Sequence, residues 1–393
     1  MKKSFVSICM IGALALSACQ SAAQPAKETD KNDSTSKAAV TSQKTDPAAD
    51  TSAFESMDLP PITYGDSGYA KAPVSADADG FALDTTIHIR LFAADKAQAQ
   101  KAMAAAFSEV NRFNHIFSAT SDGGEVTALN KRGEGKLSPE ALALFDKAMA
   151  IYTSTGGAYN VALYPVTHLW GFGTGDYRRP DNQTLSQALA LTNPKDIRVN
   201  PQTGQVKFAQ AGMGLDFDGI SQGALSNRLM EVLDQQGIKS GLVIIDGNVQ
   251  VLGRHPDKTD FRVGIQDPKS DLGYIGQVNV NNKAVITTGD YQRQFQAGGQ
   301  TWHSVLDPET GMPAVNGLHS VSVIAKNGAT ASALSRALYV MGPAKAIDYW
   351  RQHADEFDMV LYYDNEQVAV TGGIASSYIP NNRPAPDIIS VKG

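Results

Sequence analysis

Three short segments carry most of the information in this chain: LDFDGISQG (residues 215–223), TTGDY (residues 287–291) and LDPETGMP (residues 306–313). Each sets an acid and a glycine beside apolar residues. Glycine lets the backbone approach a ligand closely, and exposed N–H groups in such turns can hold a diphosphate. Gly156, Gly157, Gly219, Gly223, Gly247 and Gly289 all stand at the ends of apolar segments. Taken singly, each is an ordinary turn. There is no P-loop, no G-x-G-x-x-G and no G-x-S-x-G. The order and surroundings of the three segments are what give them meaning.

Outward from these segments, the pattern mixes two periods. Residues 81–92 (FALDTTIHIRLF) alternate and are rich in β-branched and aromatic residues, which predicts a strand. Residues 96–113 predict a helix with Ala99, Met103, Phe107 and Val110 on one face. Ser138 and Pro139 suit an N-cap and first helical residue, followed by Leu142, Phe145, Met149 and Tyr152 at helical spacing. A third helix covers residues 226–236, with Leu225, Leu229, Val232 and Leu233 inward and Gly237 as its stop. Strands are expected at 242–246, 249–253, 261–265, 277–280, 284–287, 319–325 and 359–363, with helices at 330–341 and 344–353. Helices and antiparallel-looking strands without regular βαβ alternation predict an α+β fold.

The chain has 393 residues, 42 % of them hydrophobic and 19 % charged, which is compatible with a globular core. Its 34 basic and 40 acidic residues give a formal charge of −6, and no basic cluster stands out, so nucleic acid is not an expected partner. Lys2 and Lys3 precede an apolar run, residues 5–16, too short for an ordinary membrane span. The run ends in LSAC, which resembles a lipoprotein signal: residues 1–18 would be removed and Cys19 lipidated. The alternative is a plain secretory peptide with an incidental cysteine. Cys9 would leave with the signal, so the mature domain has no thiol for a disulfide or a metal. Residues 19–57 read as a tether with too few large apolar residues to order itself, and 58–80 as an irregular lead-in to a domain at 81–393. Gln20 after the cysteine resembles outer-membrane sorting.

The three segments resemble the D-x-G-x-x-A-K-G, T-S-G-D-Y and H-x-x-D-P-x-T-G elements of the ApbE-type FAD:protein FMN transferases. SDGGEVTALN (121–130), STGGAYNVAL (154–163) and FRVGIQDP (261–268) resemble further elements of that family. The resemblance covers roughly residues 81–341. It implies a single flavin-transferase-like (T-fold-like) domain that binds FAD. The FMN moiety of FAD passes to a threonine or serine of a partner protein, and AMP leaves. By position, Ala158, Tyr159, Asn160, Asp216, Gly219, Gln222, Gly223, Thr288, Gly289, Asp290, Tyr291, Leu306, Thr310 and Gly311 fall in nucleotide-binding elements, and Asp307 beside the reaction. The family's Mg²⁺ is held by the alanine carbonyl before K-G and by an Asp and a Thr on a later helix. The resemblance also implies a periplasm-facing protein, which the LSAC signal would anchor to a membrane by lipid, and whose partner is a membrane-associated or periplasmic acceptor flavoprotein.

Several positions depart from that pattern. The metal-binding Asp is Ser332 and the Thr is Arg336; the alanine is Ser221 and the lysine Gln222. A glycine is replaced by Asp218, and Asn160 and Asn227 stand for aspartates. The family histidine falls at Ser304. His303 lies one residue earlier and takes its role only if the strand shifts or bulges. Arg336 either supplies the ion's charge, since guanidinium binds phosphate oxygens bidentately, or is an ordinary surface helix residue. His115, His168 and His319 suit structural roles, and Trp170, Phe172 and Tyr177 suit core packing, with a stacking surface as the alternative. Three readings stay open: a flavin transferase, a metal-free FAD-binding protein that delivers, stores or senses the dinucleotide, and an interaction module with an empty pocket.

Overall fold

Ten strands form one twisted sheet in the computed structural model, which describes residues 59–118, 123–172, 174–270 and 273–391. In spatial order they are Thr63–Asp66, Val74–Ala82, Thr85–Ala93, Ser240–Ile245, Asn248–Gly253, Ala284–Gly289, Leu318–Ala325, Phe357–Tyr363, Val368–Thr371 and Asp387–Ile389. Neighbours are antiparallel except the last pair, which is parallel. This is the expected α+β class. The signal segment, Cys19 and the tether lie outside the described residues.

Both faces of this sheet are covered, and the period-2 alternation of strands explains how. Ala284, Ile286, Val321, Val323, Met359 and Leu361 face the helices. Their neighbours Val285, Ile324, Val360 and Tyr362 face a second, three-stranded sheet made of Phe261–Gln266, Tyr274–Val280 and Tyr378–Pro380. Each Val, Ile, Leu or Met side chain among them, fully buried, contributes roughly 1.5–3 kcal/mol. Two-sided burial is why these strands read as nearly continuous apolar runs.

The helices begin and end on recognisable chemistry. In α1 (Lys96–Phe117) the Asp95 carboxylate accepts from the Gln98 N–H at 2.8 Å. α2 (Glu125–Arg132) stops at Gly133 in the left-handed region. In α3 (Pro139–Ser154) the Ser138 hydroxyl accepts from the Ala141 N–H at 3.3 Å. Its buried stripe is Ala141, Leu144, Phe145, Ala148 and Ile151, so Leu142, Met149 and Tyr152 only flank the core. α4 (Tyr164–Trp170) and α5 (Asn182–Leu189) are short. α6 (Ser221–Gln235) begins five residues earlier than its apolar stripe predicts. α7 (Gly328–Gln352) breaks at Gly342, φ 74°, ahead of Pro343, which preserves the two expected segments.

Two expectations need correction. Residues 81–92 are not one strand. They span the end of Val74–Ala82 and most of Thr85–Ala93, paired in register from Val74 opposite Ala93 to Ala82 opposite Thr85. The turn is Leu83-Asp84, at φ 51° and 57°. Such a two-residue turn normally takes Asn-Gly or Asp-Gly, so its sequence carries no turn signal. The Leu83 N–H donates to Asn114 Oδ1 at 2.8 Å, which fixes the turn to α1. Nor are residues 58–80 irregular, because Thr63–Asp66 and most of Val74–Ala82 lie there. The inward residues Ala76 and Ala78 are too small to announce a strand.

The first turns of α6 and α7 touch backbone to backbone. A Cβ on Gly223 would lie 2.1 Å from the Gly328 carbonyl oxygen and 2.8 Å from Ser332 Cβ. Beside this contact the Gly328 N–H donates to Asn227 Oδ1 at 2.7 Å, and Gln250 Nε2 donates to the same oxygen at 3.0 Å. Gly223→Ala is expected to destabilise the fold by about 1–3 kcal/mol through overpacking. The measurement is thermal unfolding followed by circular dichroism. An unchanged midpoint would show that the helices part at no cost.

Candidate functional site

A cavity of about 540 Å³ opens where α4, the segment before α6, the Leu83-Asp84 turn and α7 meet. α4 starts with Pro165 in its first turn and ends at Gly171, and it presents Tyr164, Thr167 and His168 to the cavity. The segment before α6 is clamped at Leu215: its N–H donates to Asn130 Oδ1 at 2.7 Å, and Asn130 Nδ2 donates to its carbonyl at 2.8 Å. This sets Asp216 in the wall, where its carboxylate accepts from Thr167 Oγ1 at 2.7 Å and from the Asp218 N–H at 2.8 Å. The first turn of α6 adds Ser221 and Gln222.

Charge concentrates on one side of this cavity. Arg336 Nη2 donates to Asp218 Oδ2 at 3.0 Å, and its Nη1 donates to the Ser304 carbonyl at 3.3 Å. Arg293 Nη1 donates to the same Asp218 oxygen at 3.4 Å, and its Nη2 donates to Asp246 at 3.1 Å. Burial alone would raise the Asp218 carboxyl, but the guanidiniums of Arg293 and Arg336 outweigh it and hold the group below the usual carboxylate range. Asp216 moves the other way, raised by burial and then by the charge of Asp218. The two neighbouring acids therefore differ in character. Behind the arginines a second void, of only about 30 Å³, is bordered by Gly219, Gln222, Thr288, Ser332 and Arg336. Ser332 and Arg336, four apart on α7, face this same point. That resolves Arg336 as a cavity residue rather than a surface one.

The expected nucleotide-binding residues divide. Asp216, Gln222 and Arg336 line the large cavity, and Gly219 and Thr288 border the small void. Thr288 also hydrogen-bonds Ser335 on α7, oxygen to oxygen at 2.8 Å. Gly223 serves the α6–α7 contact instead. Asn160 donates to the Thr192 carbonyl at 2.9 Å and accepts from the Ala162 N–H at 2.9 Å. Its neighbour Ala158 packs partly buried against the main core, and Tyr159 is buried there. Gly289 packs against Tyr291 and the His319 carbonyl, where a Cβ would come within 2.5 Å of the Tyr291 ring. Asp290 pairs with His319 Nδ1 at 2.9 Å, and burial raises the Tyr291 phenol.

Asp307 and His303, expected near the reaction, lie off the cavity wall. Asp307 organises its own turn: Oδ1 accepts from the Glu309 N–H at 2.8 Å, and its carbonyl from the Gly311 N–H at 2.7 Å. Thr310 Oγ1 accepts from Met312 N–H at 3.3 Å, and the Gly311 carbonyl from Trp170 Nε1 at 2.8 Å. Leu306 is buried with Trp170, Phe172 and Trp302. The hairpin Gln294–Ala297 with Gln300–His303 pairs regularly, Gln294 opposite His303, with no bulge. Ser304 therefore lines the cavity. His303 is buried edge-on to Tyr339, ring centroids 6.0 Å apart, and burial lowers its pKa.

Sequence reasoning missed Arg293, Asp246 and the cavity-facing role of His168. Asp246-Gly247 is a two-residue hairpin turn with positive φ at both residues, which aims the aspartate at Arg293. The only signal for Arg293 was its place two residues after TTGDY. Phe172 both packs on Trp170 and lines the cavity, so the aromatic cluster joins core to site.

The ApbE family model matches residues 83–361. A FAD:protein FMN transferase of Klebsiella pneumoniae (strain 342) is 28 % identical over 293 residues, covering 74 % of this chain and 89 % of that protein. One from Treponema pallidum (strain Nichols) is 29 % identical over 301 residues, 71 % of this chain and 81 % of its own. The crystal structure of the ApbE protein from Thermotoga maritima superposes with a TM-score of 0.70 at 26 % identity, over 75 % of this chain and 96 % of that one. The flavin transferase ApbE from Vibrio cholerae shares the fold, with a TM-score of 0.65 at 22 % identity over 76 % of this chain and 97 % of its own. With the family match running from the cavity-rim turn to the strand after α7, the chain belongs to the ApbE family.

Proposed function

We propose that this protein is a lipid-anchored FAD:protein FMN transferase. It binds FAD in the 540 Å³ cavity and passes the FMN moiety to a threonine or serine hydroxyl of an exported partner flavoprotein. The observation that carries this reading is the cavity itself. It is formed by the segment LDFDGISQG, with Asp216 and Gln222 in its wall, in a chain that spans most of the length of relatives named for that activity. Its size suits a small-molecule site. Phe172 and Tyr164 offer apolar surface and Arg293 and Arg336 offer donors, which matches a ligand with flat rings and a diphosphate. In the transfer, the acceptor oxygen bonds to the FMN phosphorus, the bond to the AMP oxygen breaks, and AMP leaves with that electron pair. The hydroxyl proton passes to a base, for which the wall offers Asp216 and His168.

A second reading is favoured by the Arg336–Asp218 pair: FAD is bound but not cleaved, and the protein delivers, stores or senses it. One assay separates the two. Protein, FAD and an acceptor domain with a modifiable threonine are incubated, and covalent flavin is read by fluorescence on a denaturing gel. The first reading expects a flavin-labelled acceptor and AMP in equal amounts. Bound FAD without labelling supports the second, and no FAD binding removes both. Asp216→Asn is expected to lower labelling by about tenfold or more, the usual scale for loss of a positioning or proton-accepting group.

The N-terminal reading belongs to the same proposal. A basic start, an apolar run of twelve residues and LSAC motivate a lipid-modified Cys19, with residues 20–57 as a tether facing the periplasm, on the outer membrane. Cys19→Ser is expected to move the protein out of the membrane fraction or to block its processing. Unchanged fractionation with an unchanged mature mass would remove the anchor.

A further inference from the structure

The small void behind the arginines is where the family resemblance would place Mg²⁺, and the residues present do not fit that ion. Mg²⁺ takes near-octahedral oxygen ligands, usually with a carboxylate. Ser332 supplies only a neutral hydroxyl, and Arg336 supplies donors and no lone pair. The two carboxylates that border the void are engaged by guanidiniums, Asp218 by Arg293 and Arg336 and Asp246 by Arg293. No group of three or more His, Cys, Asp or Glu side chains among the described residues converges on a metal-binding arrangement. A divalent cation entering there would meet Arg336 at one wall of a void of only about 30 Å³.

We propose that Arg336 and Arg293 together form a metal-independent site for the diphosphate of FAD, with Asp218 as an internal counter-ion that the diphosphate displaces. This rests on the reading that the cavity takes FAD. Both arginines line the large cavity as well as the void, so their forks reach ligand space. Guanidinium binds phosphate oxygens in pairs through its planar fork, which a lysine does not reproduce. Gly219, at φ +79°, makes room for this arrangement: a Cβ there would lie 2.6 Å from Arg336 Nε. The backbone has been kept clear of the guanidinium itself.

The role of Asp218 follows from charge balance. Two arginines facing an empty cavity would repel each other, and Asp218 bridges them at 3.0 and 3.4 Å while Asp246 takes the far side of Arg293. The quartet is close to neutral without ligand. A diphosphate brings two charges and competes with one carboxylate for the same donors. Asp218 therefore orders the arginines and also weakens the ligand.

The test uses the full-length protein in detergent, with FAD, riboflavin and inorganic pyrophosphate as probes and flavin fluorescence quenching as the readout. FAD affinity is expected to be the same in Mg²⁺ and in EDTA. Arg336→Gln is expected to weaken FAD by about tenfold or more while leaving riboflavin unchanged. Arg336→Lys, which keeps the charge and loses the fork, is expected to recover only part of that. Asp218→Asn is expected to tighten FAD by severalfold, and pyrophosphate to compete with FAD in the unmodified protein. FAD binding that needs Mg²⁺ and is abolished by EDTA overturns the proposal and leaves the FAD reading standing. Failure of FAD to bind in either condition overturns both. The EDTA comparison needs no variant, so it decides even if Arg336→Gln does not fold.

Discussion

The approach of α6 to α7 without side chains between them is the constraint on which the rest of the site depends. Gly223 and Gly328 bring two backbones to van der Waals distance, and that distance sets where every other residue on the two first turns points. Gln222 faces the cavity because Gly223 faces the helix contact. Ser332 and Arg336 face the same void because α7 starts at that contact. The network of Ser226, Asn227 and Gln250 then satisfies the polar groups that close packing leaves at the helix ends. A glycine that reads as a ligand-binding residue in the motif is thus a packing residue.

The second organising element is electrostatic. Asp218 is a half-buried acid, its side chain 35 % exposed, and two guanidiniums neutralise its charge. Arg336, in turn, reaches it across a residue that has no side chain, Gly219. Asp216, two residues away, has no such cation in direct contact and is raised rather than lowered. One short segment therefore presents two carboxyl groups of opposite tendency to the same cavity.

Much of this was legible in the sequence. Short apolar runs located most of the central strands, because two-sided burial leaves stretches rich in Val and Ile. Capping chemistry at Ser138 and the stop at Gly237 behaved as their residue types predict. The three acidic glycine segments led to the family and to Asp216, Gln222 and Arg336 in one cavity. What escaped has physical causes. The turn at Leu83-Asp84 uses residues that rarely adopt positive φ, so two strands looked like one. Ala76 and Ala78 bury too little area to mark a strand. The DPETG segment contains turn-forming and ligand-binding residue types alike, and only the structure shows its carbonyl serving Trp170. Arg293 comes into the site through the tertiary fold, and pattern reading sees only local neighbours.

The walls of the cavity are drawn from almost the whole folded chain, from Leu83 and Asp84 at one end to Arg336 at the other. Thr85–Ala93 must also wait for Ser240–Ile245 before it has a partner on its second edge. Such non-local pairings are slow to form. During synthesis, then, Asp218 emerges well before either of its counter-ions, and no N-terminal fragment short of α7 can own this site. A chain truncated ahead of Arg336 would keep Arg293 and many of the strands and helices but lose one of the two guanidiniums at Asp218. The cavity wall can close only once the first turns of α7 have been made.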